Sequence, residues 1–511
     1  MTLVAAHRGD SSRYRENTIA AIRSALAAGA DIVEIDVRLT ADGDVALLHD
    51  ATLERLWGDH RALCEVSTDA VRGFGGGDLR IPFLDEVLPL FDGSDTVLLI
   101  DMDSDVPAPA AHRVVARHAG SARIAWCGDI DAMRLLRGLD PDAEIWLPWS
   151  RSTPPTANDL EELRPAVVNL PHLVVGAALV TAVHRLGARV SCWTVDDAVQ
   201  ARRLRAIGVD SITTNDLTRI RQEVTGELIP LSSADERRRH RLVARELAEW
   251  AVDYVRTHAI LRVDTKANPA DHVTEVDRSI ELGVREIIGA QFEDHVFIGE
   301  EFGGAEADGA PCWYLDPVDG TANLANGVPW TSFSLALVED GVPVVGVVAD
   351  PWRDLVVEAA AGEGAWSAGR QLDLGSAPSS SPASSDPLRG AIVSTELAGH
   401  RPWPGLIRLI DELAARFCTT RIMGSGTLTV AGIALGYGTA SVIGSFGPVD
   451  HLAACLIVRE AGGVVLDEDG RDTLFPAQGG VLAARDRASA EALFALWTNA
   501  TAWASYDPIG V

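Results

Sequence analysis

The sequence predicts two domains of different fold class, an eight-stranded (α/β)8 TIM barrel followed by an α+β domain. The chain has 511 residues, about three times the length of an average domain, so at least two hydrophobic cores are expected. In the first half, short apolar runs alternate with helical segments, which is typical of a parallel barrel. In the second half, helices and acidic loops precede longer strands. We therefore predict a barrel over residues 1–225, a linker over 226–234 and a second domain over 235–511.

The barrel prediction depends on nine apolar runs of strand length. These runs are 3–6, 32–37, 45–48, 97–100, 124–126, 145–147, 167–170, 190–195 and 211–214. Nine candidates, one of them a hairpin partner, fit an eight-stranded barrel better than an open sheet. Polar or aromatic side chains stand at the carboxyl ends of several runs, and in a barrel these ends converge on one mouth. They are His7, Glu34, Asp36, His49, Asp101 and Trp193.

The second half begins after a break at 228–234 that contains proline and serine. A long amphipathic helix is predicted over 235–257, strands over 332–338 and 344–348, and a further helix over 427–435. The uncharged stretch 422–449 is interrupted by glycines and a proline. Because it lacks the sustained apolarity of a membrane span, we interpret it as a buried helix and strand and expect no membrane partner.

The charge balance limits the classes of partner. The chain has 44 Lys and Arg against 73 Asp and Glu, a formal net charge of −29, which would repel the backbone of a nucleic acid. A small phosphorylated ligand would need divalent cations held by clustered carboxylates. Lys266 is the only lysine of the chain. Since Arg does not replace Lys at a compact point-charge site, Lys266 is a candidate functional residue.

The cysteines and the first residues bear on the cellular compartment. The six cysteines lie far apart without a C-x-x-C pair, which argues against a zinc site or a disulfide framework. The first apolar strand reaches His7 and Arg8 almost at once, which leaves no room for a signal peptide. We expect a cytoplasmic protein.

The first group of candidate site residues combines carboxylates with histidines. Glu34 and Asp36 stand at i and i+2 in a strand, so their carboxylates point to the same side and repel each other unless a cation lies between them. Oxygen-ligated Mg²⁺ or Ca²⁺ would suit this position. His7 and His49 could supply the general base and general acid for cleaving a phosphodiester, with Arg8 binding a phosphate oxygen.

These residues lie in motifs that resemble the glycerophosphodiester phosphodiesterase family. The motifs are A-H-R-G at 6–9, E-N-T at 16–18, G-A-D-I-V-E-I-D-V-R-L-T-A-D-G at 29–43, L-H-D at 48–50, W-T-V-D at 193–196 and G-V-D-S-I-T-T-N at 208–215. The resemblance implies a barrel that hydrolyses glycerol-type phosphodiesters. It implies catalytic His7 and His49, one metal ion on Glu34, Asp36 and Asp101, and substrate contacts from Arg8 and Trp193. Where the family has a lysine near the substrate phosphate, this chain has Asp103.

The second group of candidate site residues is a set of carboxylates beside a helix start. Asp316 and Asp319 flank Pro317, whose turn lets both carboxylates face one point, and Gly320 and Thr321 open a helix whose free N–H groups suit a phosphate. Two or three Mg²⁺ ions held there would activate a water molecule for attack on phosphorus.

The motifs around these residues resemble the inositol monophosphatase family. They are V-T-E-V-D at 273–277, I-G-E-E at 298–301, L-D-P-V-D-G-T at 315–321 and G-P-V-D-H-L-A-A at 447–454. The resemblance implies a layered α+β phosphatase domain. It implies that metal is bound by Glu300, Asp316, Asp319, Asp450 and the Val318 carbonyl.

The same resemblance implies further roles for residues of the second half. Thr321 with Glu300 would activate the nucleophilic water, and Gly320 with Thr321 would hold phosphate. Lys266 and Asp277 would occupy the outer, more hydrated part of the metal site, and Gly424 and Ser425 would contact substrate. Inositol-specific members have a glutamate where this chain has Ile443, so inositol is not implied as the substrate. A homodimer through this domain is expected by analogy.

The leading hypothesis is a bifunctional phosphoesterase. The barrel would cut a phosphodiester, and the second domain would remove phosphate from the resulting monoester. One alternative is a magnesium-dependent phosphatase of sugar, nucleotide or inositol phosphates whose barrel is a non-catalytic binding or scaffolding module. Another is a bisphosphatase whose substrates are unrelated to any diester.

Overall fold

A computed structural model of the chain describes residues 2–258, 260, 262–266, 268–269, 272–375 and 386–504. The chain divides between Ser232 and Ser233 into two compact units. In the described part of the chain, no helix has both the length and the apolar character that crossing a membrane requires.

The first unit is a closed parallel barrel, as predicted. Its strands are β1 (Leu3–Ala6), β2 (Ile32–Leu39), β3 (Val45–Leu47), β4 (Val97–Met102), β5 (Arg123–Gly128), β6 (Glu144–Pro148), β7 (Val167–Pro171), β8 (Arg189–Trp193) and β9 (Ser211–Thr214). Within residues 2–232, all of which are described, eight strands pair in parallel in the order β1-β9-β8-β7-β6-β5-β4-β2, and β2 returns to β1. The remaining strand, β3, is the antiparallel hairpin partner of β2.

Helices follow most barrel strands and cover the outside of the sheet. They are α1 (Ile19–Ala27), α2 (Glu54–Trp57), α3 (Thr68–Val71), α4 (Leu84–Val87), α5 (Ala108–Arg117), α6 (Ile130–Leu139), α7 (Ala157–Leu163), α8 (Ala177–Arg185), α9 (Ala198–Ala206) and α10 (Leu217–Thr225). Several begin at a side-chain cap. The Thr18 hydroxyl accepts from the N–H of Ala21 before α1, and Asp129 accepts from the N–H groups of Asp131 and Ala132 before α6.

The described residues of the second unit form two larger sheets and one small hairpin. Its strands are β10 (Val263–Thr265), β11 (His272–Thr274), β12 (Val296–Gly299), β13 (Cys312–Asp319), β14 (Ser332–Glu339), β15 (Val342–Asp350), β16 (Leu355–Ala360), β17 (Gly364–Ser367), β18 (Arg370–Leu372), β19 (Ile392–Thr395), β20 (Thr419–Arg421), β21 (Ala440–Ile443), β22 (Val464–Asp467) and β23 (Val481–Ala484). In its described part, β12 to β18 form a seven-stranded sheet in sequence order. A five-stranded sheet has the order β20-β19-β21-β23-β22.

Helices separate and cover these sheets, which gives the predicted layered α+β fold. They are α11 (Ser233–Thr257), α12 (Glu275–Gln291), α13 (Thr321–Ala325), α14 (Leu406–Ala414), α15 (Gly426–Ala431), α16 (Pro448–Glu460) and α17 (Arg487–Ala504). The long helix α11 packs on β14, β15 and β16, α16 contacts both sheets, and α14 and α17 pack together beside the five-stranded sheet. Because α16 lies between two sheets, the continuous run from His451 to Val458 is buried on all sides of the helix. Gly346 of β15 admits the close approach of α16, since a Cβ there would lie 2.9 Å from Ala453 Cα.

The uncharged stretch 422–449 contains a helix and a strand, as predicted, but the helix is shorter than expected. It spans Gly426–Ala431 instead of 427–435. Beyond Ala431 the chain continues in tight turns, in which the N–H groups of Ile433 and Ala434 donate to carbonyls three residues earlier. Glycines in this segment lower its helix propensity, which accounts for the early end.

Candidate active sites

The barrel mouth contains a cavity of about 550 Å³. It is lined by all of the residues predicted for the first site, which are His7, Arg8, Glu34, Asp36, His49, Asp101 and Trp193. The barrel topology brings them together because the carboxyl ends of parallel strands meet on one face. In the register of β2 and β4, Asp36 lies directly opposite Asp101, and Glu34 points to the same side of β2 as Asp36.

The carboxylates of this cavity repel one another. Burial, together with the charges of Asp36 and Asp101, raises the pKa of Glu34 well above its ordinary value. Burial and the charge of Asp36 raise the pKa of Asp101 to about 6. The negative charge that these acids concentrate in one place favours a cation between them.

Arg8 balances part of this negative charge. Its backbone N–H donates to Glu34 Oε2 at 2.8 Å, and its Nε lies 3.2 Å from Asp36 Oδ2. A terminal guanidinium nitrogen donates to Glu16 at 3.0 Å. The sequence predicted that Arg8 contacts a substrate phosphate, whereas in the structure its guanidinium is paired with carboxylates.

The two histidines are held in different ways. His7 Nδ1 lies 2.8 Å from Asn215 Oδ1, and His49 Nδ1 lies 2.7 Å from Asp50 Oδ1. Burial and the charge of Arg8 lower the pKa of His7. Because Nδ1 of each ring is already engaged, Nε2 is the nitrogen that each histidine offers to a substrate. In His7 this nitrogen lies 3.9 Å from Glu34 Oε2, beyond hydrogen-bond distance.

Asp103, at the position of the family's lysine, forms an ion pair with Arg38. Arg38 Nε also donates to the His49 carbonyl at 2.7 Å. The extra negative charge on this wall of the cavity is therefore paired with a guanidinium from β2.

In the second unit a cavity of about 390 Å³ collects most of the predicted site. The predicted residues that line it are Glu300, Asp316, Val318, Asp319, Gly320, Thr321 and Asp450. Glu300 follows β12, Asp316 to Asp319 end β13, and Asp450 lies in the first turn of α16. Gly320 has a φ of +88°, and a Cβ there would lie 2.8 Å from the Gly424 carbonyl oxygen. The turn after β13 therefore requires glycine.

Burial and mutual repulsion also raise the pKa values of these acids. Burial and the charge of Glu300 raise the pKa of Asp316 well above its ordinary value. Burial and Asp450 raise the pKa of Asp319 to about 7, and burial and Glu300 raise the pKa of Asp450 to about 7.

Lys266, the single lysine, lies against this group of acids. Its Nζ is 2.9 Å from Glu300 and 2.5 Å from Glu301. Burial opposes its charge, but the two glutamates raise its pKa overall. A compact ammonium thus occupies the position where the sequence predicted one.

The Thr321 hydroxyl is hydrogen-bonded within the protein. It lies 2.9 Å from Asp277 Oδ1 and 2.9 Å from the Val318 carbonyl oxygen. Asp277 was predicted in the outer, more hydrated part of a metal site, and in the structure its side chain is fully buried. Asp277 lies in the first turn of α12 and accepts from the N–H of Thr274 at 2.9 Å, so the capping of the helix places its carboxylate behind Thr321.

Ser425 and Gly424, which were predicted to contact substrate, also form hydrogen bonds within the protein. The Ser425 hydroxyl donates to Asp319 Oδ2 at 2.6 Å, and the Gly424 N–H donates to Glu396 at 2.8 Å. An adjoining cavity of about 440 Å³ shares Asp319 and Asp450 with the cavity around Asp316. Its lining is mixed and includes Leu397, Ala398, Ile422 and Ile443 as well as Glu396, Ser445 and His451.

The chemistry of both groups of carboxylates fits a divalent cation, since oxygen ligands and unbalanced negative charge are what Mg²⁺ and Ca²⁺ require. As the side chains are placed, however, no group of three or more His, Cys, Asp or Glu in the described part of the chain is arranged to hold a metal ion. Arg8 and Lys266 pair with carboxylates of the two groups. Metal binding would therefore require some of these side chains to turn.

Several residues to which the motifs gave no role support the sites. Asn17 donates to Asp36 at 2.7 Å, and Asn215 holds His7. Both asparagines lie inside motifs on which the family resemblance depends, so these motifs could have identified them as candidate site residues. In the second unit, Glu396 accepts from the N–H groups of Met423 and Gly424, and nothing in its local sequence distinguished it.

Comparison with known protein families agrees with both resemblances. Residues 236–502 match the model of the inositol monophosphatase family. Residues 7–219 match the model of the glycerophosphoryl diester phosphodiesterase family. The two families inferred from the motifs are thereby confirmed, and both are hydrolase families that act on phosphoesters.

Individual relatives cover one half of the chain each. Inositol monophosphatase 2 of Solanum lycopersicum is 34% identical over 211 residues, covering 40% of this chain and 77% of the relative. Inositol-1-monophosphatase of Bacillus subtilis is 29% identical over 234 residues, covering 44% and 83%. Among solved structures, the IMPase of Thermotoga maritima covers 51% of this chain and 97% of its own, with 25% identity and a TM-score of 0.45. A phosphodiesterase of Oleispira antarctica in complex with the product sn-glycerol-3-phosphate covers 44% and 98%, with 22% identity and a TM-score of 0.42.

Proposed function

Because the chain belongs to the inositol monophosphatase family over residues 236–502 and has a glycerophosphoryl diester phosphodiesterase domain over residues 7–219, we propose that it carries out two hydrolyses in succession. The barrel converts a phosphodiester and water into a phosphomonoester and an alcohol. The second domain converts that monoester and water into an alcohol and phosphate. The observation that carries this proposal is that one chain contains both sites, and the product class of the first is the substrate class of the second.

In the barrel, His7 and His49 carry out the proposed proton transfers. His7 is kept neutral by burial and by the charge of Arg8, so its Nε2 accepts the proton of the attacking water. His49 supplies the proton to the departing alkoxide. Glu34, Asp36 and Asp101 would hold one Mg²⁺ or Ca²⁺, which supplies positive charge to the phosphoryl oxygens. Trp193, 44% exposed at the mouth, would contact the organic part of the substrate.

In the second domain, a larger set of ligands would hold two or three Mg²⁺ ions, which supply charge stabilisation and an acidified water. These ligands are Glu300, Asp316, Asp319, Asp450 and the Val318 carbonyl. The Thr321 hydroxyl, held by Asp277, orients the nucleophilic water. Gly320 and Thr321 contact the phosphate, and Lys266 holds Glu300 in place through their ion pair.

The organic part of the second substrate would lie in the adjoining cavity. Its lining combines polar Glu396 and Ser445 with Ile443, and Ile443 stands where inositol-specific members of the family have a glutamate, which favours a phosphomonoester other than inositol phosphate. A homodimer through the second domain is also proposed, on the analogy of the family and because Trp352 and Tyr437 are more than 40% exposed there. Light scattering of the purified protein would measure the mass.

The two-step function is tested with the full-length protein, Mg²⁺ and a panel of phosphodiesters, following the monoester and free phosphate separately. Wild type should release phosphate from at least one diester. His7→Ala should release neither product from that diester yet still hydrolyse its monoester. Asp316→Asn should accumulate the monoester and release no phosphate. If no diester yields a monoester while monoesters are hydrolysed normally, the two-step function is wrong.

Asp103 favours the alternative of a non-catalytic barrel, because it stands where the family has a lysine beside the substrate phosphate. Its carboxylate is paired with Arg38. Divalent-ion binding distinguishes the two possibilities. A catalytic barrel predicts a binding event in the Asp316→Asn protein that disappears on adding Asp36→Asn. A barrel that only binds or scaffolds predicts no such event, and phosphatase rates that are indifferent to His7→Ala.

A further inference from the structure

His7 is the first member of a hydrogen-bonded chain that leads away from the barrel cavity. Its Nδ1 lies 2.8 Å from Asn215 Oδ1. The Nδ2 group of the same Asn215 amide donates to Asp196 Oδ2 at 2.7 Å, and the Asn215 backbone N–H donates to Asp196 Oδ1 at 2.7 Å. Asp196 follows β8 and Asn215 follows β9, so the ends of two neighbouring strands create the chain.

The direction of each hydrogen bond follows from the chemistry of its members. A carboxylate only accepts, so Asp196 requires the NH₂ end of the Asn215 amide to face it. The oxygen end is therefore turned towards His7, where it also accepts from the Ser11 hydroxyl at 3.2 Å. An oxygen in that position requires a proton on His7 Nδ1. In a neutral imidazole this leaves Nε2 without a proton.

Asp196 is itself fixed although its residue is exposed. Its Oδ1 accepts from the buried Thr214 hydroxyl at 2.8 Å as well as from the Asn215 N–H. These contacts hold the carboxylate against the end of β9. His49 is different, because its Nδ1 contacts the carboxylate of Asp50 with no intervening amide.

We propose that Asn215 and Asp196 are positioning residues of the barrel reaction, which together select the Nδ1–H tautomer of His7 and so present Nε2 as the proton acceptor. This inference rests on the proposed diesterase function, in which His7 Nε2 takes the proton of the attacking water. Neither residue touches the substrate. Asp196 acts through Asn215, and Asn215 acts through His7.

Three variants test the role of the chain in turnover. Asp196→Asn places a second amide opposite Asn215, which then turns its NH₂ group towards His7 and selects the wrong tautomer. Asn215→Asp puts two carboxylates face to face. Each change should lower kcat for the diester by at least about tenfold, the size expected for one hydrogen bond to a charged group, with KM within about twofold of wild type. The double variant Asp196→Asn/Asn215→Asp exchanges amide and carboxylate, restores the donor and acceptor pattern, and should regain most of the lost kcat.

A spectroscopic measurement separates this inference from the diesterase function. The full-length protein labelled with ¹⁵N-histidine is compared with His7→Ala at pH 8.5, where an ordinary imidazole is neutral. Wild type should show His7 protonated at Nδ1, and Asp196→Asn should show it protonated at Nε2. Protonation of wild-type His7 at Nε2, or an unchanged tautomer in Asp196→Asn, would overturn the proposal. If the spectra agree with it while no diester is hydrolysed, only the proposed function fails.

Discussion

Replacing Thr321 with valine removes one hydroxyl and preserves the shape of the side chain. That hydroxyl lies 2.9 Å from the fully buried carboxylate of Asp277, and valine leaves the carboxylate without this donor. Loss of a hydrogen bond to a charged group costs about 1.5–3 kcal/mol. Since roughly 1.4 kcal/mol changes a rate tenfold, kcat for phosphomonoester hydrolysis should fall by about 10- to 100-fold if this bond orients the nucleophilic water.

The same substitution should change stability in a pH-dependent way. Burial raises the pKa of Asp277, and its hydrogen bonds with Thr274 and Thr321 lower it, so the lost bond matters most where Asp277 is charged. The free energy of unfolding should therefore fall more at pH 8 than at pH 5. The matched control is Thr395→Val. Thr395 is also buried, and its hydroxyl has no hydrogen-bond partner among the described residues, so valine there should leave stability nearly unchanged.

The assay measures initial rates of phosphate release from a small monoester with Mg²⁺, alongside urea unfolding of both variants. Thr321→Val should be slow and less stable, and Thr395→Val should resemble wild type. A wild-type kcat in Thr321→Val would refute the role of the hydroxyl. A loss of stability with no loss of kcat would leave Thr321 as a purely structural contact of α12.

Three further predictions concern charge. Lys266→Arg should lower phosphatase turnover, because a guanidinium does not reproduce the compact contact with Glu300. An unchanged rate would show that the reaction does not require a lysine at this position. Asp319 and Asp450 have a pKa of about 7 in the native state, raised from an ordinary value of 3.8. Between pH 3.8 and pH 7 the native state therefore binds more protons at these carboxyls than the unfolded state does. In EDTA the free energy of unfolding should fall as pH rises through that range, and Mg²⁺ should abolish the fall; urea titrations at pH 5 and 8 would check this. Asp103→Lys should lower KM for a phosphodiester, and a raised KM would show that the Arg38 pair is needed.

Local sequence determined most of the two folds and most of the residues that line the two cavities. Barrel strands such as β1 and β9 could be predicted because an apolar run of strand length is a local property, and nine of them in a row leave few architectures. The carboxylates could be assigned to sites for a similar reason. Glu34 and Asp36 are two residues apart on a strand, and Asp316 and Asp319 flank one turn, so each pair converges whatever surrounds it.

Only the tertiary structure decided which side chains of the sites form hydrogen bonds with one another. Asp277 lies behind Thr321 because the first turn of α12 meets the end of β13, a contact between residues 44 apart in sequence. Asn215 reaches His7 across 208 residues because the barrel closes β9 on β1. Such contacts depend on how separate elements pack, and no local spacing encodes them. The sequence therefore determined the chemical groups of each site. Packing decided which of these groups form hydrogen bonds with one another, and in the case of His7 which ring nitrogen faces a hydrogen-bond acceptor.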